Sequence, residues 1–332
     1  MMEKVMKAIV ATGAGGPEVL SLTEVPTPVP GPGEVLIDVV AAGINRADVQ
    51  QRRGFYPPPA GASQILGLEV SGRIAGFGPN VTKAFSMGEK VVALLTGGGY
   101  ASQVVAPAGQ VLALPEGLDV ISSAGLPEVA ATVHSNLFMT AQLQAGETVL
   151  IHGGSGGIGA MAIQLAKAAG ARVIATAGSD EKVAMLTSYL GADAAVNYRN
   201  EDFVERVRQF TQGAGANVIL DVVGAKYLAR NVESLATYGR LVVIGLQGGA
   251  TAELNLGALL TKRAAIIGTT LRARPVAEKA TIMEGVREHV WPLVSSGAVK
   301  PMVDRTFPLE QVAAAHEYFD SGAHVGKVLL TL

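Results

Sequence analysis

Six consecutive residues near the middle of the chain have the types and spacing that suit binding of a dinucleotide. Gly154-Ser155-Gly156-Gly157-Ile158-Gly159 matches the pattern G-x-G-x-x-G, directly after the apolar run Thr148 to His152 and before the helix-like run Gly157 to Ala169. Glycines let the backbone approach a pyrophosphate, and the start of the helix supplies amide groups and positive potential. A tight strand-to-helix turn without a ligand is the alternative. We predict that this turn contacts the pyrophosphate of a nucleotide cofactor.

The end of the second strand bears on which nucleotide binds. NAD enzymes usually place Asp or Glu about 20 residues after the glycines, where it holds the ribose hydroxyls. Here the strand ends in Gly178 and Ser179, followed by Asp180, Glu181 and Lys182. A 2′-phosphate is not repelled at such a tip, Ser179 can donate a hydrogen bond to it, and Lys182 can supply charge. Lys182 as a solvated helix residue is the alternative. We predict NADPH rather than NADH.

Metal-ligand residues are scarce in the sequence. There is no Cys, and the five His residues are scattered without metal-binding spacing. A tetrahedral zinc site draws on Cys and His donors at defined spacing. The sequence therefore predicts no metal, and His152, at the end of a strand, is interpreted as a packing or hydrogen-bonding residue rather than a ligand.

Composition narrows the remaining classes of protein. The 332 residues suit two domains of roughly 150 each, and 49% hydrophobic residues suffice for large cores. A net charge of -2 gives no electrostatic footprint for nucleic acid. No run of 18 uncharged apolar residues predicts a membrane span, and the N-terminus has no signal-like segment. A cytoplasmic protein is the expectation.

The elements that must position these residues fall into two kinds. From about Ser122, strands alternate with helices, which predicts an α/β domain with a doubly wound parallel sheet. A helical stretch, Ala124 to Leu143, is predicted before its first strand. The first third has short Val-rich strands punctuated by Pro, which indicate a small, partly open barrel. We predict a barrel domain of residues 1–124 and 270–332, with the nucleotide-binding domain, residues 125–269, inserted into it.

Several separated strings of residues resemble one protein family. They are Asn45-Arg46-Ala47-Asp48, Gly54-Phe55-Tyr56-Pro57-Pro58-Pro59-Ala60-Gly61-Ala62-Ser63, Leu66-Gly67-Leu68-Glu69-Val70-Ser71-Gly72, Leu94-Leu95-Thr96-Gly97-Gly98-Gly99-Tyr100-Ala101 and Asn197-Tyr198-Arg199. With them the chain resembles the medium-chain dehydrogenase/reductases. Within that superfamily it resembles the zinc-free quinone oxidoreductase branch that includes zeta-crystallin, and most of all the p53-inducible quinone oxidoreductase type.

The resemblance implies a fold and a metal content. The expected domains are a Rossmann-type domain and a GroES-like barrel that carries substrate. The Gly-His-Glu string of zinc-containing relatives appears here as Gly67-Leu68-Glu69, and their ligand Cys has no counterpart around Asn45. The resemblance therefore implies a zinc-independent protein.

The resemblance also implies roles for individual residues. Asn45 and Asp48 are expected beside the nicotinamide, and Tyr56 in the cleft that holds cofactor and substrate; these three are the predicted catalytic residues. Further expected cofactor contacts are Gly178, Ser179, Lys182 and Tyr198 around the 2′-phosphate and ribose, Thr132, Gly224, Gly245, Leu246, Thr269, Thr270 and Leu271 along the nicotinamide half, and His324 near a phosphate. Asn45 and Asp48 as a helix cap or turn, Tyr56 as loop packing, and Tyr198 as a sheet-edge residue are the alternatives.

These observations together predict an NADPH-dependent quinone reductase that transfers hydride, or single electrons, in the cleft between its domains. Without metal or an acid–base pair, the protein contributes mainly orientation. Quinones suit this because their reduced oxygens are weakly basic, whereas a ketone needs a Lewis acid or proton donor. The alternatives are an enal or enone reductase and a non-enzymatic, crystallin-like NADPH-binding protein. The resemblance implies a homodimer, for which the apolar run Ala264 to Leu271 offers an edge strand. The sequence does not specify the natural acceptor.

Overall fold

A computed structural model describes residues 4–82 and 85–332 of the chain. The backbone divides into two compact units. Unit 1 consists of Met1–Ala131, Leu271–Gly297 and Pro301–Leu332, and unit 2 of Thr132–Thr270 and Ala298–Lys300. Each unit has its own main sheet.

The strands of the described residues are numbered in chain order. They are β1 (Val5–Ala11), β2 (Leu20–Pro26), β3 (Glu34–Gly43), β4 (Glu69–Phe77), β5 (Lys90–Leu94), β6 (Gln103–Pro107), β7 (Val111–Ala113), β8 (Thr148–Ile151), β9 (Arg172–Ala177), β10 (Ala194–Asn197), β11 (Ala216–Asp221), β12 (Leu235–Val243), β13 (Ala265–Gly268), β14 (Val303–Pro308) and β15 (Lys327–Thr331).

The α-helices are numbered in the same way. They are α1 (Arg46–Arg52), α2 (Pro127–Val133), α3 (Gly157–Ala168), α4 (Asp180–Ser188), α5 (Phe203–Phe210), α6 (Leu228–Ser234), α7 (Leu256–Lys262), α8 (Val276–His289), α9 (Trp291–Ser295) and α10 (Val312–Ser321). No helix among the described residues is long and apolar enough to cross a membrane.

Unit 1 is organised around β3. The strand pairs antiparallel with β4, β6 and β15, in a sheet of order β14-β15-β3-β4-β5-β7, while β1 and β2 form a separate hairpin. Val35, Ile37 and Val39 alternate with more exposed residues along β3 and join the buried core, as expected for a strand with one face packed inward. Because β3 ends at Gly43 inside this sheet, the residues that follow it are buried.

Unit 2 is a parallel six-stranded sheet of order β10-β9-β8-β11-β12-β13. Its strand order reverses between β8 and β11, and all four residues of β8 are buried. In open α/β sheets, ligands bind outside the carboxyl ends of the strands at this reversal. The doubly wound sheet predicted from the sequence is therefore confirmed, and it brings the turns after β8 and β11 side by side.

The helical stretch predicted at Ala124 to Leu143 is confirmed over most of its length, but it is not one regular α-helix. The segment consists of a 3₁₀ turn (Ser122–Gly125), α2, and a π-helix (His134–Thr140), in which the Ala141 amide bonds the Asn136 carbonyl five residues back. π-Helical turns are rare and occur often at functional sites. The elements α7, α8 and β14 were not predicted, because their polar and apolar residues do not alternate with the period of a helix or a strand.

Candidate active site

The glycine-rich turn of unit 2 has the geometry that its sequence predicts. A Cβ on Gly154 would lie 2.9 Å from Leu186, and one on Gly159 would lie 2.3 Å from the Gly153 carbonyl oxygen. Gly156, the N-cap of α3, has only the Gly153 oxygen within 4 Å of such a Cβ, at 3.6 Å. The outer glycines therefore permit close packing of strand and helix, while the middle one leaves a bare backbone surface beside the first amides of α3. This surface fits the pyrophosphate of a dinucleotide.

The tip of β9 brings Gly178, Ser179 and Tyr198 together. Ser179 is the N-cap of α4, and its hydroxyl oxygen accepts a hydrogen bond from the Lys182 amide at 3.3 Å. A Cβ on Gly178 would lie 2.6 Å from the Tyr198 hydroxyl, so glycine allows the ring to lie over the strand tip. The Asp180 carboxylate is engaged by the Asn197 amide at 2.6 Å. The Asp180 carboxylate thus has a protein partner of its own, and the Glu181 carboxylate is hydrogen-bonded to the Ser179 side chain.

Two further turns of unit 2 meet at the carboxyl ends of β11 and β12. Asp221, fully buried at the end of β11, accepts hydrogen bonds from the amides of Val223 (2.7 Å) and Gly224 (3.0 Å). Its burial raises the pKa of this carboxyl. Gly224 has a φ of 79°, and a Cβ on Gly245 would lie 2.7 Å from the Val222 carbonyl oxygen. Leu246 contacts the same turn and is exposed. Sequence reasoning missed Asp221, although an acidic residue ending an apolar strand was the available signal.

Asn136 joins two of the residues predicted to lie near the nicotinamide. Its side-chain amide donates to the Thr132 carbonyl oxygen at 2.8 Å, and its side-chain oxygen accepts from the Thr269 hydroxyl. Asn136 lies in the π-helix and is buried. The widened helical turn thus connects Thr132 with the segment after β13, a link that nothing in the sequence indicated.

In unit 1, the Asn45 side chain lies between two opposite charges. Its amide nitrogen donates to Glu69 Oε1 at 3.0 Å, and its oxygen accepts from Lys327 Nζ at 2.7 Å. Glu69 and Lys327 themselves form an ion pair of 2.6 Å, with side chains 0% and 6% exposed. Because an ammonium group only donates and a carboxylate only accepts, the two neighbours fix the orientation of the Asn45 amide. Nothing in the sequence indicated that Lys327, the first residue of β15, would be buried beside Asn45.

Asp48 faces hydrogen-bond donors. Its carboxylate accepts from the amides of Asn45 (2.8 Å) and Gly67 (3.0 Å) and from the Tyr100 hydroxyl (3.3 Å). Burial raises its pKa to about 6, against the lowering effect of those two amides. The bond to the Asn45 amide closes the first turn of α1, so the helix-cap alternative describes Asp48. The carboxylate thereby anchors Asn45 and the chain before Leu68.

A buried polar chain continues from Asp48. The Tyr100 hydroxyl lies 3.3 Å from His316 Nε2, and His316 Nδ1 lies 3.0 Å from Arg52, which pairs with Asp320 at 2.7 Å. Because a guanidinium only donates, Nδ1 accepts and Nε2 carries the ring proton toward Tyr100. Burial, together with the charge of Arg52, lowers the pKa of His316 to about 3. His316 therefore stays neutral, and the chain holds Tyr100 against Asp48.

Tyr56 lies beside the buried cation Arg272, whose carbonyl oxygen is in turn bonded by a second buried cation, Lys279. Arg272 donates to the Tyr56 carbonyl oxygen at 3.5 Å, and its guanidinium lies 5.5 Å from the centre of the Tyr56 ring. Lys279, at the first turn of α8, bonds the Thr96 hydroxyl at 2.5 Å. Burial raises the pKa of Tyr56, while Arg272 acts in the opposite direction. Arg272 follows directly on the predicted segment Thr269 to Leu271, but its burial was not foreseen.

The remaining predicted site residues have fewer contacts that bear on cofactor binding. His324 belongs to unit 1, where its ring stacks on Phe319 with centroids 4.5 Å apart, and its predicted phosphate contact stays a prediction. Thr270 and Leu271 are the residues at which the chain passes from unit 2 to unit 1. Ser155 and Gly157 lie at the start of α3, with Ile158 in its first turn.

The residues do not fit a catalytic zinc ion. Leu68, where the resemblance led us to expect a ligand His in a zinc-containing protein, is a buried apolar side chain, and the chain has no Cys. The Lys327 ammonium beside Asn45 would repel a cation. Across residues 4–82 and 85–332, no group of three His, Asp or Glu side chains is arranged to hold a metal.

Comparison with known proteins places these features in a family. Residues 31–116 match the alcohol dehydrogenase GroES-like domain, and residues 157–285 match the zinc-binding dehydrogenase domain. Human quinone oxidoreductase is 32% identical over 336 residues, covering 99% of this chain and 99% of the relative. The chain belongs to the quinone oxidoreductase branch of the medium-chain dehydrogenase/reductases. It is an oxidoreductase with a GroES-like domain and a Rossmann-type domain.

Two solved structures of family members are similar over nearly the whole chain. A mycobacterial protein complexed with NADPH has a TM-score of 0.86 and 31% identity, covering 98% of this chain and 100% of the other. CurK enoyl reductase has a TM-score of 0.85 and 27% identity, covering 98% and 99%. Together with the glycine turn, they support a nicotinamide cofactor for this quinone oxidoreductase family member.

Proposed function

We propose that the protein is a zinc-independent, NADPH-dependent reductase of quinones. The observation that carries the proposal is the bare backbone at Gly156, at the strand-order reversal of a parallel sheet, in a chain similar throughout to quinone oxidoreductases. The cofactor supplies the hydride. Unit 2 binds and orients it through the glycine turn, Thr132 and Thr269, and Asn45 and Tyr56 orient the acceptor beside it.

Quinones fit the chemistry of the described side chains better than ketones. The oxygen of a ketone becomes a strongly basic alkoxide on reduction and needs a metal or acid to stabilise it. Asp48 serves as an acceptor for three donors, and the Asn45 amide is engaged by Glu69 and Lys327, so neither is set up as a strong acid. A reduced quinone oxygen is weakly basic and takes its proton from water.

A steady-state screen of NADPH oxidation tests this proposal. Quinones should be reduced with kcat/KM values at least about a hundredfold above those of simple ketones, a difference of roughly 2.7 kcal/mol in transition-state stabilisation. The similarity to CurK enoyl reductase favours a second candidate, reduction of the carbon–carbon double bond of enals or enones. Faster turnover of an enal series than of any quinone would select that second activity.

The preference for NADPH over NADH is a separate prediction. Ser179 caps α4 at the strand tip, Asp180 is bonded to Asn197, and we propose that Lys182, in the first turn of α4, supplies the charge for the 2′-phosphate. Lys182→Ala should lower kcat/KM for NADPH roughly tenfold, the value of one charge-assisted contact, and leave NADH unchanged. Lys226→Ala, in another loop of unit 2, is the matched control. Equal kcat/KM values of the unaltered enzyme for both cofactors would remove the prediction.

We also propose a homodimer formed through β13. This strand pairs with β12 along one edge, and nothing among the described residues pairs with its other edge. Leu256 and Leu260 of the neighbouring α7 are exposed apolar residues. Ile267→Lys should convert a dimer to a monomer in light scattering at micromolar concentration, because it places two charges across a two-fold axis. Val29→Lys, at an exposed apolar position in unit 1, should not. A monomeric parent protein would contradict the proposal.

A further inference from the structure

Arg272 and Lys279 form a pair of buried cations in unit 1, 5% and 2% exposed. Arg272 donates to the Thr96 carbonyl (2.8 Å), the Gln51 side-chain oxygen (2.7 Å) and the Tyr56 carbonyl. Lys279 donates to the Thr96 hydroxyl and, at 3.3 Å, to the Arg272 carbonyl. Every one of these acceptors is neutral. Arg272 and Lys279 take part in none of the ion pairs found among residues 4–82 and 85–332.

This arrangement differs from the other deeply buried cations of unit 1. Arg52 pairs with Asp320, and Lys327 pairs with Glu69, as expected from the cost of burying an isolated charge. Burial lowers the pKa of Lys279, and the positive charge of Arg272 lowers it further. Lys279 also lies in the first turn of the 14-residue helix α8, where the helix dipole disfavours a cation. Among the described residues the two cations therefore have no carboxylate bonded to them, while the nearby carboxylates of Asp48 and Glu128 act on Arg272 and Tyr56 only through space.

The positive charge of Arg272 lies close to Tyr56, the residue proposed to contact the acceptor. The Arg272 guanidinium stacks near the Tyr56 ring, and its charge also lowers the pKa of Asp48. Tyr56 is the half-buried residue that we propose to lie beside the acceptor. Hydride transfer to a quinone oxidises NADPH to NADP⁺ and leaves a hydroquinone monoanion, which then takes a proton from water. The negative charge thus develops on an acceptor oxygen.

We propose that Arg272 and Lys279 are a subsite for an anionic oxygen of the acceptor, so that the enzyme binds ionised hydroxyquinones and hydroquinonates in preference to neutral analogues. This rests on the proposed function for the identity of the acceptor but not for the charge preference itself. Fixed positive charges in a poorly solvated site stabilise a developing anion without reorganisation at the moment of reaction. The pair would supply electrostatic stabilisation where the zinc-containing relatives use a metal.

Two probes of nearly equal shape test the charge preference without turnover. They are 2-hydroxy-1,4-naphthoquinone, which is ionised at neutral pH, and its neutral methyl ether, 2-methoxy-1,4-naphthoquinone. Calorimetric titration of the NADP⁺-bound protein should show tighter binding of the hydroxy compound. Lys279→Met and Arg272→Gln should each reduce the ratio of the two Kd values roughly tenfold, as expected for loss of one charge several ångströms away. Lys279→Arg, which keeps the charge, should retain the ratio.

The two Kd values distinguish an anion-binding role of Arg272 and Lys279 from two other roles. If the cations only fasten the loops around Tyr56 and Thr96, Lys279→Met will weaken both probes equally and leave their ratio unchanged, which overturns the proposal. If the charges serve a phosphate of the cofactor, the Kd for NADP⁺ alone will rise about tenfold in the same variants, which also overturns it. Failure of the quinone screen with an intact probe ratio would contradict the proposed function alone.

Discussion

Lys327→Met should lower the free energy of unfolding by about 3–5 kcal/mol, the usual effect of removing one partner of a buried ion pair. The substitution leaves the Glu69 carboxylate fully buried, with the Asn45 amide and the Glu128 backbone amide as its remaining partners. The Asn45 side-chain oxygen loses its donor at the same time. Chemical denaturation monitored by circular dichroism measures the loss, and kcat for quinone reduction should fall because Asn45 is no longer fixed.

The double variant Glu69→Gln/Lys327→Met distinguishes the charge from the packing. It removes both charges while keeping similar volumes, so it should regain most of the stability that Lys327→Met loses. Lys167→Met is the matched control, because Lys167 pairs with Asp193 at 2.8 Å with both side chains about one-third exposed. An exposed pair contributes up to about 1 kcal/mol. Equal losses in Lys327→Met and Lys167→Met would contradict a special role for the buried pair.

The sequence predicted the sheet of unit 2 well because its signals are local. Apolar β8, the glycine turn and α3 follow each other within twenty-one residues, Thr148 to Ala168, and the close contact that requires Gly159 is with the backbone of the turn itself. The predicted runs Thr148 to His152 and Gly157 to Ala169 match β8 and α3 to within one residue, because glycines punctuate the turn between them.

The buried cations escaped prediction because burial of a charge is decided by distant parts of the chain. Lys327 meets Asn45 across 282 residues, and Arg272 meets Gln51 across 221. Because Lys and Arg are usually exposed, a surface position is predicted for them unless the sequence indicates a buried partner. The same holds for the π-helix, since Asn136 contacts Thr269 from 133 residues away and apolar periodicity alone does not reveal the wider turn.

Asn45 and Asp48 show how a structural and a functional interpretation can both apply to one motif. The spacing of three residues suits a helix cap, and Asp48 does cap α1 through the Asn45 amide. The side chain of Asn45 belongs to the same capping box, facing the backbone amide of Asp48, and it also lies between Glu69 and Lys327. The sequence could indicate the pair as a motif, but only the structure shows that Asn45 has these two charged neighbours in addition to its place in the cap.

Gly159→Ala should abolish measurable nucleotide binding, with a Kd for NADPH at least about a hundredfold higher, and should also cost about 1–3 kcal/mol of stability through overpacking. The added Cβ would lie 2.3 Å from the Gly153 carbonyl oxygen and 2.6 Å from the Gly154 Cα, so either α3 or the turn must move. Because both are backbone atoms, no side-chain rotation relieves the contact. Calorimetric titration with NADPH and thermal unfolding measure the two effects.

Gly156→Ala separates binding from packing at the same turn. Gly156 has an ordinary φ of -78°, and its added Cβ would be 3.6 Å from the nearest atom, so stability should stay within about 0.5 kcal/mol of the parent protein. Affinity for NADPH should still fall at least about tenfold, because the methyl group occupies the surface on which we place the pyrophosphate. Gly13→Ala, with open space around its Cβ in unit 1, should change neither quantity. If Gly156→Ala binds NADPH as tightly as the parent protein, the pyrophosphate does not lie on this turn. The proposed place of the nicotinamide beside Thr132 and Thr269 would then be wrong as well.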